Sequence, residues 1–329
     1  MSTPRATTRP SVTFTWEKPG SFGLIFLSSF EAEEPLEPPT DINVAIVGVG
    51  LIGGSFGLAL RRSGIARTIT GFDISEAALE GALARKAIDV AAEDLEGAAA
   101  EADLIFIATP VSRVATVFLD LSPSIGQKTL VTDAGSSKAE IVRRIESSPR
   151  VSQFVGGHPF AGKETGGIGA AGAELFDGCV WFLTPTSRTD HSISKKVAAI
   201  LETLGAKVLS ISPSRHDELV AASSHLPQLV STALAEFVRD VTPEDLPILA
   251  GTGLKDMTRL AASPSEMWID VFGDNRLEIL RLLERFGDQI SSLRQAINDE
   301  DWDSVRKLMQ DASSAAAEIT GTSLPTETS

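Results

Sequence analysis

The chain has 329 residues, enough for two domains, and its blend of apolar, charged, Gly and Pro residues is that of a globular protein rather than a disordered or fibrous one. Its 44 acidic against 29 basic residues leave a net charge of −15, which argues against a sequence-independent grip on nucleic acid or an anionic membrane, and no apolar run is long enough to span a bilayer. The single cysteine, Cys179, excludes an intramolecular disulfide and a thiolate zinc site and fits a reducing, cytoplasmic setting, while the absence of tyrosine excludes any mechanism that needs a phenol.

Residues 1–40 are rich in Pro, Ser, Thr and Glu and lack periodicity apart from the patch FGLIFL, so they read as a poorly ordered extension or as a start-site artefact. From residue 41 to 212, short apolar runs alternate with helical patterns. INVAIVG, TITGFD, ADLIFIATP, KTLVTDAG, SQFVGG, CVWFLT and AKVLSIS are the strands, and the alternation predicts a parallel sheet with crossover helices. Near Pro213 the texture changes. Residues 213–320 show helical spacing without strand runs and predict an all-α second domain, followed by a tail over 321–329. The stripe VFGDNRLEILRLLERFGDQI carries more apolar surface than a lone helical lobe can bury, which predicts a homodimer.

The most specific local signal follows the first strand. Gly48, Gly50 and Gly53 form G-x-G-x-x-G directly after INVAIV, and Leu51 and Ile52 open the apolar helix behind it. Such glycines allow a tight turn and a close approach of backbone to a pyrophosphate, whose charge meets the helix N-terminus. The second strand ends in Asp73, placed to accept from ribose hydroxyls and to repel a 2′-phosphate, with no cation following in Ile74 or Ser75. The first domain is therefore read as a Rossmann-type dinucleotide-binding unit that takes NAD. Thr109 and Pro110, ending the strand ADLIFIATP, stand either beside the nicotinamide half or in a plain strand-ending turn.

A nicotinamide dehydrogenase needs a group to take the proton of an alcohol. Without tyrosine, and without cysteines for the usual zinc site, a histidine remains, and the chain has four. His191 falls in a polar stretch expected to be a solvated loop. His216, before Asp217 at a helix start, is as well explained as a capping or interface group as a ligand. His158 ends a strand of the cofactor domain, and Ser136 follows the strand before it, so both should face the nicotinamide. His225 stands just ahead of the point where Pro227 would disturb its helix, as a site partner or a core residue.

Taken in order, GVGLIGGS, ATPV, DAGSSK, GGHPFAG, SSHLPQ and GLKDMTRLAASPSEMW make the chain from about residue 42 to 315 resemble the prephenate and arogenate dehydrogenase family. The resemblance implies a Rossmann domain followed by an all-helical dimerisation domain. It also implies NAD-dependent oxidative decarboxylation of prephenate or arogenate in tyrosine biosynthesis. By resemblance, His158 draws off the ring hydroxyl proton, Ser136 holds hydroxyl and nicotinamide together, and Arg259 binds a substrate carboxylate. Read from the residues alone, Arg259 equally suits a surface ion pair with Asp256 or Glu266. His225, in SSHLPQ, and Lys163 and Glu164, directly after GGHPFAG, are taken as substrate-side residues. Lys163 replaces a small hydroxyl residue common in the family, and Gln228 replaces the second His of a frequent HLPH pattern, which turns the expectation toward arogenate.

Two other readings compete. A β-hydroxyacid dehydrogenase would need a Lys base on the helical domain, and Arg215 to Val238 contains no Lys. An NAD-sensing protein without turnover would have no use for His158, Ser136 and Arg259 together.

Overall fold

The computed structural model describes residues 37–163, 165–241, 248 and 250–321. The extension, as far as residue 36, Glu164 and the tail from residue 322 lie outside the described residues.

Eight strands form one sheet: β1 (Ile42–Val47), β2 (Ala66–Phe72), β3 (Val90–Ala91), β4 (Leu104–Ile107), β5 (Leu130–Asp133), β6 (Phe154–Pro159), β7 (Val180–Thr184) and β8 (Lys207–Ser210), in the order β3-β2-β1-β4-β5-β6-β7-β8. The order reverses between β2-β1 and β4, which opens a crevice at the carboxyl ends of β1 and β4. Alternation along β1 explains its near-complete burial. Val44 and Ile46 enter a core with Phe56, Leu60, Phe106 and Trp181, while Ala45 and Val47 enter a second core with Ile105, Val114 and Phe118 on the opposite face. The first face is covered by α1 (Leu51–Ser63) and α6 (His191–Thr203), the second by α4 (Val111–Leu121) and α5 (Ala139–Ile145). Short helices α2 (Glu76–Ala84) and α3 (Leu95–Ala99) complete the crossovers.

Two features differ from the expected parallel sheet of seven strands. β7 runs antiparallel to β6, with Gly156 opposite Thr184 and Pro159 opposite Trp181. Among the described residues between them a short 3-10 turn, Ile168–Ala170, stands in place of a crossover helix, and the chain returns in the reverse direction. The two-residue edge strand β3 has no apolar run to announce it.

Beyond β8, Ser212 caps α7 (Pro213–Val220) by accepting from Arg215 N at 3.3 Å, and Pro213 occupies the first turn, where its missing N–H costs nothing. A π-turn, Ala221–His225, leads into α8 (Leu226–Val241). Pro227 sits just past that wide turn, so the expected single helix is two helices joined by it. Then follow α9 (Thr252–Thr258), a 3-10 turn Arg259–Ala262, α10 (Ser265–Asp274), α11 (Arg276–Asn298) and α12 (Trp302–Thr320). The apolar stripe read as continuous is broken at Asn275 between α10 and α11. Val271, Trp268 and Phe272 of α10 pack on the α4 side of the sheet, where Ser112 Oγ also donates to Asp270 at 2.9 Å.

Candidate active site

The dinucleotide turn has the backbone that its glycines demand. Gly48 lies at φ +92°, and a Cβ there would stand 2.6 Å from the Ala108 carbonyl; a Cβ on Gly53 would stand 1.8 Å from Gly48 O. The Gly50 position is open, with nothing within 4 Å, so a ligand can come against its backbone at the N-terminus of α1. Leu51 and Ile52 form the half-buried first turn. Asp73, just past β2, accepts from Val49 N and from Ser75 N, both at 2.9 Å, and so braces the turn from below; Ile74 after it is exposed. Across the crevice, Pro110 caps α4 and the buried Thr109 hydroxyl has no partner. An open helix terminus, an unpaired hydroxyl and a ribose-level carboxylate along one sheet edge fit a dinucleotide.

Two strands along, β6 carries His158 to the same edge. The ring is buried, and its Nδ1 lies 2.8 Å from Nε2 of His216 in α7, whose Nδ1 lies 2.8 Å from Asp217 Oδ1. Asp217 also accepts from the main-chain nitrogens of Lys138 and Ala139 at 2.8 Å each. A carboxylate so placed requires His216 to carry its proton on Nδ1. His216 Nε2 then accepts, His158 donates from Nδ1, and Nε2 of His158 keeps a lone pair. Burial drives His158 well below the usual histidine value, with the charges of His216, Lys138 and His225 acting the same way. Burial also lowers His216, against the pull of its bond to Asp217. The ring that ends the strand is thus a neutral acceptor.

Beneath it lies a buried ion pair between Lys138 and Asp133. Lys138 Nζ also donates to Gly157 O at 2.8 Å, and Asp133 accepts from Gly157 N at 2.9 Å and Gly135 N at 2.8 Å. This pair clamps the end of β5 to the residue before His158, and its further hydrogen bonds offset the desolvation of two charges. Ser136 occupies the turn between these groups, half-buried, after Gly135 and before the anchored Lys138.

From the helical side, His225 ends the π-turn and is buried; burial holds it at about 4, with Asp217 pulling up and His216 pushing down. Gln228, one helical turn on, is also buried. Its Nε2 donates to Leu260 O at 2.9 Å, and its Oε1 has no partner. The NH₂ end is therefore used inside the fold, and the oxygen is the end left without a partner. Ala261 N donates to Ser231 Oγ at 3.2 Å, so α8 pins the turn that begins with the exposed Arg259. Lys163 donates to Ala170 O at 2.8 Å across its own loop. His191, expected in a loop, is the exposed first residue of α6, and half-buried Cys179 has its thiol pushed up to about 11 by burial. Among the described residues no group of His, Cys, Asp and Glu is arranged to hold a metal, and no helix is long and apolar enough to cross a membrane.

The structure brings together His216, which the sequence left between a capping or interface group and a ligand, with Asp217, Lys138, Asp133 and Asn275, to which it gave no role in the site. Their signals were present as an adjacent His-Asp pair and as the ends of DAGSSK, but only the fold sets them within reach of His158 and His225.

A family model described as the nucleotide-binding domain of prephenate dehydrogenase matches residues 56–210, and one described as its dimerization domain matches residues 212–311. The prephenate dehydrogenase of Bacillus subtilis (strain 168) is 33% identical over 264 residues, 78% of this chain and 71% of that protein. The chain belongs to the prephenate and arogenate dehydrogenase family. Solved members of the family share its fold. The structure of prephenate dehydrogenase from A. aeolicus in complex with hydroxyphenyl propionate and NAD+ matches with a TM-score of 0.79 and 33% identity, covering 87% of this chain and all (100%) of that one. Synechocystis arogenate dehydrogenase matches with a TM-score of 0.75 and 30% identity, covering 84% of this chain and 100% of that one.

Proposed function

We propose that this family member is an NAD-dependent dehydrogenase that oxidatively decarboxylates prephenate or arogenate in tyrosine biosynthesis, with His158 as the base. The observation that carries the reading is the chain from Asp217 through His216 to His158, which leaves a lone pair on Nε2 at the same sheet edge as the dinucleotide turn. Bound NAD supplies the hydride acceptor. His158 Nε2 accepts the proton of the ring C4 hydroxyl as the C4 hydrogen departs with its electron pair, the C1 carboxylate leaves as carbon dioxide so that the ring becomes aromatic, and the proton returns from His158 to the phenolate oxygen. The positive charge that His158 acquires is shared through its Nδ1–H with His216, which Asp217 anchors. Ser136 is read as a hydrogen-bond partner of the C4 hydroxyl. Arg259 is read as the cation for a substrate carboxylate, a task that its planar fork suits. Lys163 and Glu164, which follow His158 in sequence, are assigned to the substrate side.

Asp73, with the exposed Ile74 after it, favours NAD over NADP. Mixing the purified protein with either cofactor and either substrate, and following reduced cofactor by its near-ultraviolet absorbance, tests the reading. Turnover with NAD is expected, and absence of turnover with both substrates, or equal kcat/KM for NADP, would overturn the respective part.

Gln228 directs the choice of substrate toward arogenate. Its free Oε1 can accept from the ammonium of arogenate, whereas the ketone of prephenate only accepts and leaves a buried oxygen unsatisfied. A hydrogen bond to a charged group contributes about 1.5–3 kcal/mol, a preference of about ten- to a hundredfold. Arogenate is expected to have the higher kcat/KM, and Gln228→His to improve prephenate use; a prephenate kcat/KM equal to that of arogenate contradicts this assignment while leaving the reaction intact.

A further inference from the structure

Asn275 lies in the break between α10 and α11, at φ −103° and ψ 27°, with its side chain buried. The reaction as read above does not use it. Its Nδ2 donates to the main-chain oxygen of Asp217 at 2.9 Å and lies 3.2 Å from Nδ1 of His225. A carbonyl only accepts, so the amide end turned toward Asp217 is the NH₂ and not the oxygen. That NH₂ has a second hydrogen, and the ring nitrogen it meets must be the one with the lone pair. His225 therefore accepts at Nδ1 and carries its proton on Nε2.

We propose that Asn275 is a positioning residue that holds His225 in the Nε2–H form, so that His225 offers the site a neutral hydrogen-bond donor beside the acceptor oxygen of Gln228. His225 and Gln228 are three residues apart on consecutive helical turns, the spacing that places side chains on one face. Asp217 thereby sets two histidines in opposite forms. Through its carboxylate and His216 it leaves Nε2 of His158 bare, and through its carbonyl and Asn275 it leaves Nε2 of His225 protonated. An acceptor suits a hydroxyl; a donor next to an acceptor suits an α-amino acid end, whose carboxylate accepts and whose ammonium donates. The groups that face His225 are Asp217 and His216 of α7, Asn275, and His158 of β6, whose charge acts on His225 as that of His225 acts on it, with the edge-on ring of Trp268 at 6.1 Å. Burial outweighs the charges among them and lowers the ring to about 4, so that it is neutral near neutral pH. The consequence for substrate rests on the function proposed above, but the proton's position does not.

Side-chain nitrogen NMR of the full-length protein, with its four histidines isotope-labelled and His225 assigned by the signal lost in His225→Phe, tests the proposal without substrate. In the wild type, Nδ1 of His225 should show the shift of a lone-pair nitrogen and Nε2 that of a protonated one, with no titration near neutral pH. Asn275→Asp exchanges the donor for an acceptor, and should move the proton to Nδ1 and raise the titration by at least about one unit. Asn275→Ala should give a mixture of both forms, and decides the matter with the wild-type spectrum if the Asp variant does not fold. A protonated Nδ1 in the wild type, or a His225 signal unchanged in the variants, overturns the proposal. The expected spectrum in a protein without dehydrogenase activity would support it while sinking the function.

Discussion

His158 is a base because of what lies behind it. Its acceptor nitrogen is free only as long as Nδ1 donates to His216, so His158→Asn should remove both the acceptor and the relay of charge toward Asp217. The expected loss is about two to four orders of magnitude in kcat, as for removal of a general base, with NAD affinity little changed because the dinucleotide turn is three strands away. A variant with near-normal kcat in steady-state assays takes His158 out of the mechanism. The same burial makes stability depend on pH. His158, His216 and His225 are all lowered in the fold, His225 to about 4, whereas the unfolded chain binds protons near the ordinary value of about 6.5. Between those values the unfolded state holds more protons, so stability from these rings is full above about 6.5 and is lost as pH falls toward 4. Thermal melts should show Tm dropping across that window, and His225→Phe should flatten the drop; a Tm that stays level from neutral pH to 4 contradicts the assignment.

At the scale of elements, the strands were legible because sheet residues buried on both faces form unbroken apolar runs, and the Gly48 to Gly53 turn because its constraints are local. A Cβ on Gly53 would overlap Gly48 O at 1.8 Å and cannot be relieved by a rotamer change, since the neighbour is backbone. Gly53→Ala should therefore push α1 away from β1, weakening NAD binding by at least about tenfold while the rest of the fold melts within a few degrees of wild type. Isothermal titration with NAD checks it, and unchanged affinity would show that the helix terminus does not hold the cofactor. What the sequence hid was long-range. The reversal of β7 depends on the missing crossover helix after His158, the π-turn on how Pro227 is accommodated, and the break at Asn275 on a side chain that is satisfied only by Asp217 and His225. Likewise His158 and Ser136 could be placed by the strand they follow. Nothing local distinguishes His216 from an ordinary helix-start histidine until α7 packs on β7.

At the scale of the molecule, the helical half has too little core for its apolar content. Of the 23 residues of α11 only Ile279 is buried, and α12 has no buried residue at all. Leu277 is 75% exposed, and Leu280, Ile290 and Ile297 are each 49% exposed on the same helix, with Trp302 and Met309 exposed on α12. Spacings of three, three, four and seven residues along Leu280, Leu283, Phe286, Ile290 and Ile297, all exposed, make this a stripe rather than scattered residues, and such stripes on one lobe are buried by a second protein surface. The matched dimerization-domain model covers these helices to residue 311, which supports a second copy of the chain as that surface. Light scattering should then give a dimer at micromolar concentration. Ile290→Asp is the sharper measurement: a half-exposed position in a monomer tolerates aspartate with little loss, but in an interface the carboxylate loses its water without a partner. The cost of about 3–5 kcal/mol would weaken association more than a hundredfold and yield folded monomers with unchanged helical circular dichroism. A monomeric wild type would sink the assembly. A dimeric Ile290→Asp protein would move the contact to another face of the helical domain.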